Sequence, residues 1–115
     1  MGKKMEPQKG EGLPINLILN VHRRGDGTVL LAICDKDVHG KTFREGKLKL
    51  DLSGSFYNGE ETPLTRIKEL MPVATHLNLA GKQAVSLGVE SDYIQGEHVL
   101  FIDGIPYAEC VNFRE

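Results

Sequence analysis

What the chain lacks narrows it first. No apolar run approaches the roughly 20 residues that a membrane-spanning helix requires; the longest, around residues 15–21 and 29–34, are far shorter. Cysteine is scarce: Cys34 and Cys110 stand alone, too few and too far apart for a zinc cluster, and a reduced pair is expected, as in an intracellular, cytoplasmic protein. Residues 1–12 carry lysines but no apolar h-region, so they read as a flexible N-terminal lead-in and not as an export signal. Low-complexity tracts are also missing, which removes the disordered classes.

What is there fits one globular domain over residues 13–115. Hydrophobic residues make up 40% and charged residues 26% of the 115, ordinary proportions for a folded protein. A chain of this size buries roughly two-thirds of its extended surface around a single core. The net charge of −2 is unevenly spread: residues 1–49 hold 10 Lys or Arg against 6 Asp or Glu, a surplus of +4, and residues 50–115 hold 4 against 10, a deficit of −6. Such asymmetry marks either a basic binding face or a solvated surface.

Periodicity sets the expected elements. Residues 15–23 alternate apolar Ile15, Leu17, Leu19 and Val21 with polar partners, the pattern of a half-buried strand. Arg24-Gly25-Asp26-Gly27 is a turn, and the apolar residues 28–34 form the return strand, covered on both faces. Residues 35–46 are polar and glycine-bounded, hence a loop or single helical turn. In residues 47–53, Leu48, Leu50 and Leu52 face one way and lysines the other, a third strand near an edge. Ser55-Phe56-Tyr57-Asn58-Gly59 reads as an aromatic anchor and a turn. The period then changes: Thr62 caps and Pro63 opens a helix that Pro72 interrupts, and a second helix is predicted from Pro72 to about Gly88. Asp103-Gly104 marks a final hairpin over residues 99–113, with Pro106 near the start of its last strand. The expected fold class is α+β in the order βββ-αα-ββ, a mainly antiparallel sheet with a helical pair packed on one face.

Several phrases, in order and spacing, carry a resemblance: Ala32-Ile33-Cys34-Asp35, Gly40-Lys41-Thr42-Phe43-Arg44-Glu45-Gly46, Phe56-Tyr57-Asn58-Gly59, Asn78-Leu79-Ala80-Gly81 and Gly104-Ile105-Pro106-Tyr107-Ala108. Over residues 15–108 the chain resembles the archaeal domain-of-unknown-function family numbered 424. The resemblance implies an archaeal, cytoplasmic protein of about one domain; it implies no mechanism. Tyr107 departs from the histidine common at that place in the family, which speaks against a catalytic final turn.

Candidate chemistry is thin. Gly40-Lys41-Thr42 is similar to the tail of a phosphate-binding loop, but that pattern requires glycine at position 35, where Asp35 would repel a phosphate. Cys34, Asp35 and His39 are the right residue types for a nucleophile or metal site at no recognised spacing; Cys34 and Cys110 are most simply small buried hydrophobes. No cofactor and no metal site are therefore expected. Asn78 and Gly81 would share one helix face, with packing as the main reason for the glycine. The most distributed signal is basic: Arg23 and Arg24 at the first turn, then Lys36, His39, Lys41, Arg44, Lys47 and Lys49. Arg23, Arg24, Lys41, Arg44, Lys47 and Asn78 are the expected binding residues, the cations contacting phosphates and Phe43 or Tyr57 stacking. The leading expectation is a non-enzymatic adaptor that binds RNA or a nucleoprotein; a small enzyme with a pocket at the loop 34–46 and a homodimerising interaction module are the alternatives.

Overall fold

The computed structural model describes residues 16–112; the lead-in expected at 1–12 lies outside the described residues. The first hairpin forms as expected. β1 (Asn16–Arg23) pairs antiparallel with β2 (Val29–Cys34) from Arg23↔Val29 to Ile18↔Cys34. Gly27, at φ +90°, supplies the turn between them, a left-handed conformation that costs glycine little.

Within the segment expected to be a loop, β3 (Thr42–Glu45) pairs with β4 (Leu48–Asp51) as a separate two-stranded sheet. A 3-10 turn at Ser55–Tyr57 leads to β5 (Glu60–Pro63). α1 (Leu64–Leu70) begins directly after Pro63, and a 3-10 turn at Met71–Val73 containing Pro72 ends it.

The predicted helix from Pro72 to Gly88 is the main correction. Its first half is β6 (His76–Ala80), and only its second half is α2 (Lys82–Glu90). Two facts override the helical spacing of Leu77, Ala80 and Ala84. Leu77 and Leu79 are fully buried on one face of a strand that runs parallel to β2, from Leu30↔His76 to Cys34↔Ala80. Gly81 sits at φ +104°, outside the right-handed helical region, so no continuous helix passes through it. Asn78 and Gly81 therefore share no helix face.

The chain closes with β7 (Leu100–Ile102) and β8 (Ile105–Val111), turned by Asp103 at φ 54° and Gly104 at φ 78°, the two positive values that the tightest hairpin turns require. The main sheet has six strands in the order β5-β1-β2-β6-β8-β7. Its pairs are antiparallel except β2 with β6. The class is α+β, mainly antiparallel, with both helices on one face: Ile67 and Met71 of the α1 region and Val85 and Leu87 of α2 pack on Leu17, Leu31, Leu77 and Leu79. Each such side chain contributes about 1.5–3 kcal/mol on full burial. The β3–β4 hairpin and the segments flanking it cover the other face, setting Val38, Leu50, Leu52 and Tyr57 on Ile18, Ala32, Cys34 and Ala80.

Asp35 joins these layers. It is 5% exposed at the end of β2, and its carboxylate accepts the backbone N–H of Gln83 at 2.9 Å and of Ala84 at 2.7 Å, in the first turn of α2. The first N–H groups of a helix have no partner inside it, and no side chain of the cap residue Gly81 supplies one. Gly81 is also sterically required there: a Cβ would lie 2.5 Å from Asp35 Cγ.

Candidate nucleic-acid interface

The expected binding residues fall into three places. Arg23 and Arg24 lie at the turn between β1 and β2, level with Val29. Lys41, Arg44 and Lys47 follow the other end of β2, roughly 17 Å away along a strand that rises about 3.3 Å per residue. Asn78, 9% exposed, lies mid-sheet in β6. The first turn and the middle segment do not share an end of the sheet.

The hairpin does gather cations. Its register pairs Thr42 with Asp51, Phe43 with Leu50, Arg44 with Lys49 and Glu45 with Leu48. Alternation sends Phe43 and Leu50 towards the sheet, which leaves Thr42, Arg44, Lys49 and Asp51 on the outward face. Leu48, grouped with Leu50 and Leu52 in the sequence reading, is 53% exposed because it lies at the hairpin tip. The tip is anchored by Asp103 N–H, which donates to Glu45 Oε1 at 2.7 Å. The base is closed by Leu52 N–H donating to Lys41 O at 2.8 Å and Gly40 N–H to Leu52 O at 2.9 Å.

Lys41, Arg44, Lys47 and Lys49 are all exposed on this element. Two carboxylates lie among them: Glu45, which accepts from Asp103 N–H, and Asp51, 4.0 Å from Lys49 Nζ. Hydrogen bonds from Ser53 and Thr42 hold its pKa down to about 2, so it stays an anion. Arg44 and Lys49 stand directly opposite one another, and like charges in that relation destabilise a strand pair. Nothing in the packing of the hairpin calls for that arrangement.

Asn78 belongs to a different cluster. The Tyr107 hydroxyl on β8 lies 2.9 Å from Asn78 Oδ1 and also contacts the Glu109 carboxylate; its single proton serves one acceptor at a time. Burial and Glu109 push the Tyr107 phenol up. Beside it the Tyr57 hydroxyl is buried without a hydrogen-bond partner, its phenol raised by burial and then by Tyr107, Cys34 and Glu109. Sequence reading missed this grouping because it depends on the β6–β8 register; alternation within residues 105–111 was the signal that placed Tyr107 and Glu109 on one face.

Residues 34–46 show little nucleophilic potential. Cys34 is fully buried, and burial followed by Asp35 pushes its thiol up to about 12, away from the thiolate that attacks or binds metal. Asp35 is committed to α2. Among the described residues no three His, Cys, Asp or Glu side chains gather into a group that would hold a metal ion, and no helix is long and apolar enough to cross a membrane.

Fold and surface thus define an α+β protein with a mixed six-stranded sheet, two helices on one face and a basic hairpin on the other. The chain belongs to the family described as protein of unknown function (DUF424), whose model matches residues 22–113. A solved structure with the same fold is an uncharacterized conserved protein from Methanopyrus kandleri, at 23% identity and TM-score 0.70, over 87% of this chain and 96% of that one. No curated protein matches the chain.

Proposed function

We propose that the protein is a non-enzymatic, cytoplasmic adaptor that holds single-stranded RNA by its phosphates on the outward face of the β3–β4 hairpin. The observation that carries this reading is the Arg44–Lys49 pair: two cations directly opposed across a short hairpin, flanked by Lys41 and Lys47. An arrangement that lowers the stability of the free protein is relieved when a polyanion lies between the charges. Phe43 and Tyr57 face inward, so stacking contributes little and recognition is of backbone charge, not of base sequence.

Four cations that neutralise about four phosphates give a slope of log K against log salt near −3 for a single strand. Fluorescence anisotropy with an oligouridylate of roughly 12 nucleotides, within the span one compact domain covers, measures it. The double variant R44E/K49E should weaken binding at least tenfold and flatten the slope, while R24E, at the far end of β2, should change little. Binding that ignores both salt and the double reversal would sink this reading.

A further inference from the structure

β1 outruns its outer neighbour. β5 pairs with it only from Asn16↔Pro63 to Leu19↔Glu60, and residues 20–23 continue with no strand on that side. The cause lies at Gly59, where the backbones cross so closely that a Cβ would meet the Leu19 carbonyl oxygen at 2.0 Å. The preceding 3-10 turn is held on the opposite face: Asn20 Nδ2 donates to the carbonyls of Ser55 at 3.0 Å and Phe56 at 3.1 Å. Among the described residues, the backbone of residues 20–23 is hydrogen-bonded only towards β2.

Against this bare edge lies a groove of about 620 Å³, bounded by β5 and α1. Leu19 and Val21 form its floor, Leu70 lines the wall, and Arg23 and Arg66 line its charged part. Arg66 is shared with Glu69 at 3.2 Å; Arg23 has no carboxylate within ion-pair distance among the described residues. Glu60, opposite Leu19, marks the other end. The groove therefore has a polarity, negative where β5 begins and positive at Arg23.

We propose that this groove is a strand-addition site for an extended peptide that carries an apolar side chain and a carboxylate two residues apart. An edge of four residues spans about 13 Å, enough for a short strand whose main-chain bonds supply affinity while alternate side chains supply specificity. On the helix-side face, one peptide side chain rests on Val21 and Leu70, and the next but one reaches Arg23. The charge polarity fixes the register, since a carboxylate at the opposite end meets Glu60. The outer edge of β5 is blunted by Glu60, Glu61 and Pro63, the usual protection against adventitious pairing; residues 20–22 bear no charge or proline of that kind, and the turn at Ser55–Tyr57 that Asn20 and His22 hold lies on the face away from the helices. This site is separate from the hairpin and does not depend on the RNA reading.

Selection from a random displayed peptide library on the full chain tests it. The expected result is enrichment of an apolar residue and an Asp or Glu two positions apart, in one order for a parallel and the reverse for an antiparallel strand. The enriched peptide, made synthetically, should slow amide exchange in residues 20–23 and lose at least tenfold in affinity for R23E, an exposed position whose reversal leaves the core intact. No enrichment, or equal binding to R23E with unchanged exchange at the edge, overturns the proposal. Displacement of the peptide by oligouridylate would overturn it too, by making the groove a nucleic-acid surface.

Discussion

Replacing Asp35 by alanine removes the side chain that caps the first turn of α2 and leaves two backbone N–H groups, of Gln83 and Ala84, without acceptors. A hydrogen bond to a charged group contributes about 1.5–3 kcal/mol, and a lost helix cap costs about 0.5–2 kcal/mol. The two bonds are not additive, and burial of the carboxylate itself is unfavourable, so a net loss of about 2–3 kcal/mol is expected. Against a total stability of about 5–15 kcal/mol that is a large fraction, equivalent to roughly 10 °C in Tm. Asp35→Asn should lose at least about 1 kcal/mol, because its amide places a donor where both carboxylate oxygens now accept. Burial dominates the opposing backbone hydrogen bonds and raises the Asp35 carboxyl above its usual 3.8. The proton-linked part of its contribution is thus fully present below 3.8 and is lost as pH rises through the raised value, while the two N–H bonds to the ionised carboxylate persist. The gap between the wild type and Asp35→Ala should therefore narrow as pH rises out of the acid range. Urea unfolding followed by far-UV circular dichroism measures all three proteins. A midpoint for Asp35→Ala within about 0.5 kcal/mol of the wild type, at unchanged m-value, would refute the capping role.

Two further outcomes follow from close packing. Gly59→Ala should cost about 3 kcal/mol, the upper end for overpacking, because its new Cβ meets backbone that cannot give way; Gly25→Ala, with nothing within 4 Å of the added atom, should be near neutral in the same unfolding assay. Cys34 should resist alkylation in the folded protein at mildly alkaline pH and react only on unfolding, with the half-buried Cys110 modified first; peptide mapping after labelling distinguishes them, and Cys34 reacting at the rate of a free thiol would contradict its burial.

The parts of the fold that were legible in the sequence are those where one local signal dominates. The first hairpin has clean alternation and a glycine turn, the last has Asp103-Gly104, and Pro72 stops α1. Residues 76–80 misled because Leu77, Ala80 and Ala84 satisfy a helical period while Leu77 and Leu79 satisfy a strand period; the choice between them is made by β2, some forty residues earlier in the chain. β3 and β5 were hidden for a related reason. Thr42–Glu45 and Glu60–Pro63 are polar four-residue segments whose strand character comes from a partner and not from their own composition. Lys41, Arg44, Lys47 and Lys49 were legible as a basic run, but the placement of Arg44 opposite Lys49 required the register. Arg23 was legible as a cation and illegible as part of a groove, since the groove exists only because β5 stops short.

The parallel contact between β2 and β6 divides the sheet into two sequence-contiguous halves. β5-β1-β2 precedes α1 in the chain and β6-β8-β7 follows it, so each three-stranded half can assemble from its own stretch of sequence before the two meet along one seam. That seam is fastened at both ends. At one, Val29 N–H donates to Thr75 Oγ1 at 2.9 Å and Thr75 N–H to Val29 O at 2.8 Å. At the other, Asp35 N–H donates to Ala80 O at 3.1 Å while its carboxylate grips α2. A zip closed at both ends cannot be opened by fraying from a free tip. Fraying of the β2–β6 seam from either end has to break a hydrogen bond of the Thr75 or the Asp35 side chain as well as the strand pairing, while the shared core holds the two halves across its length.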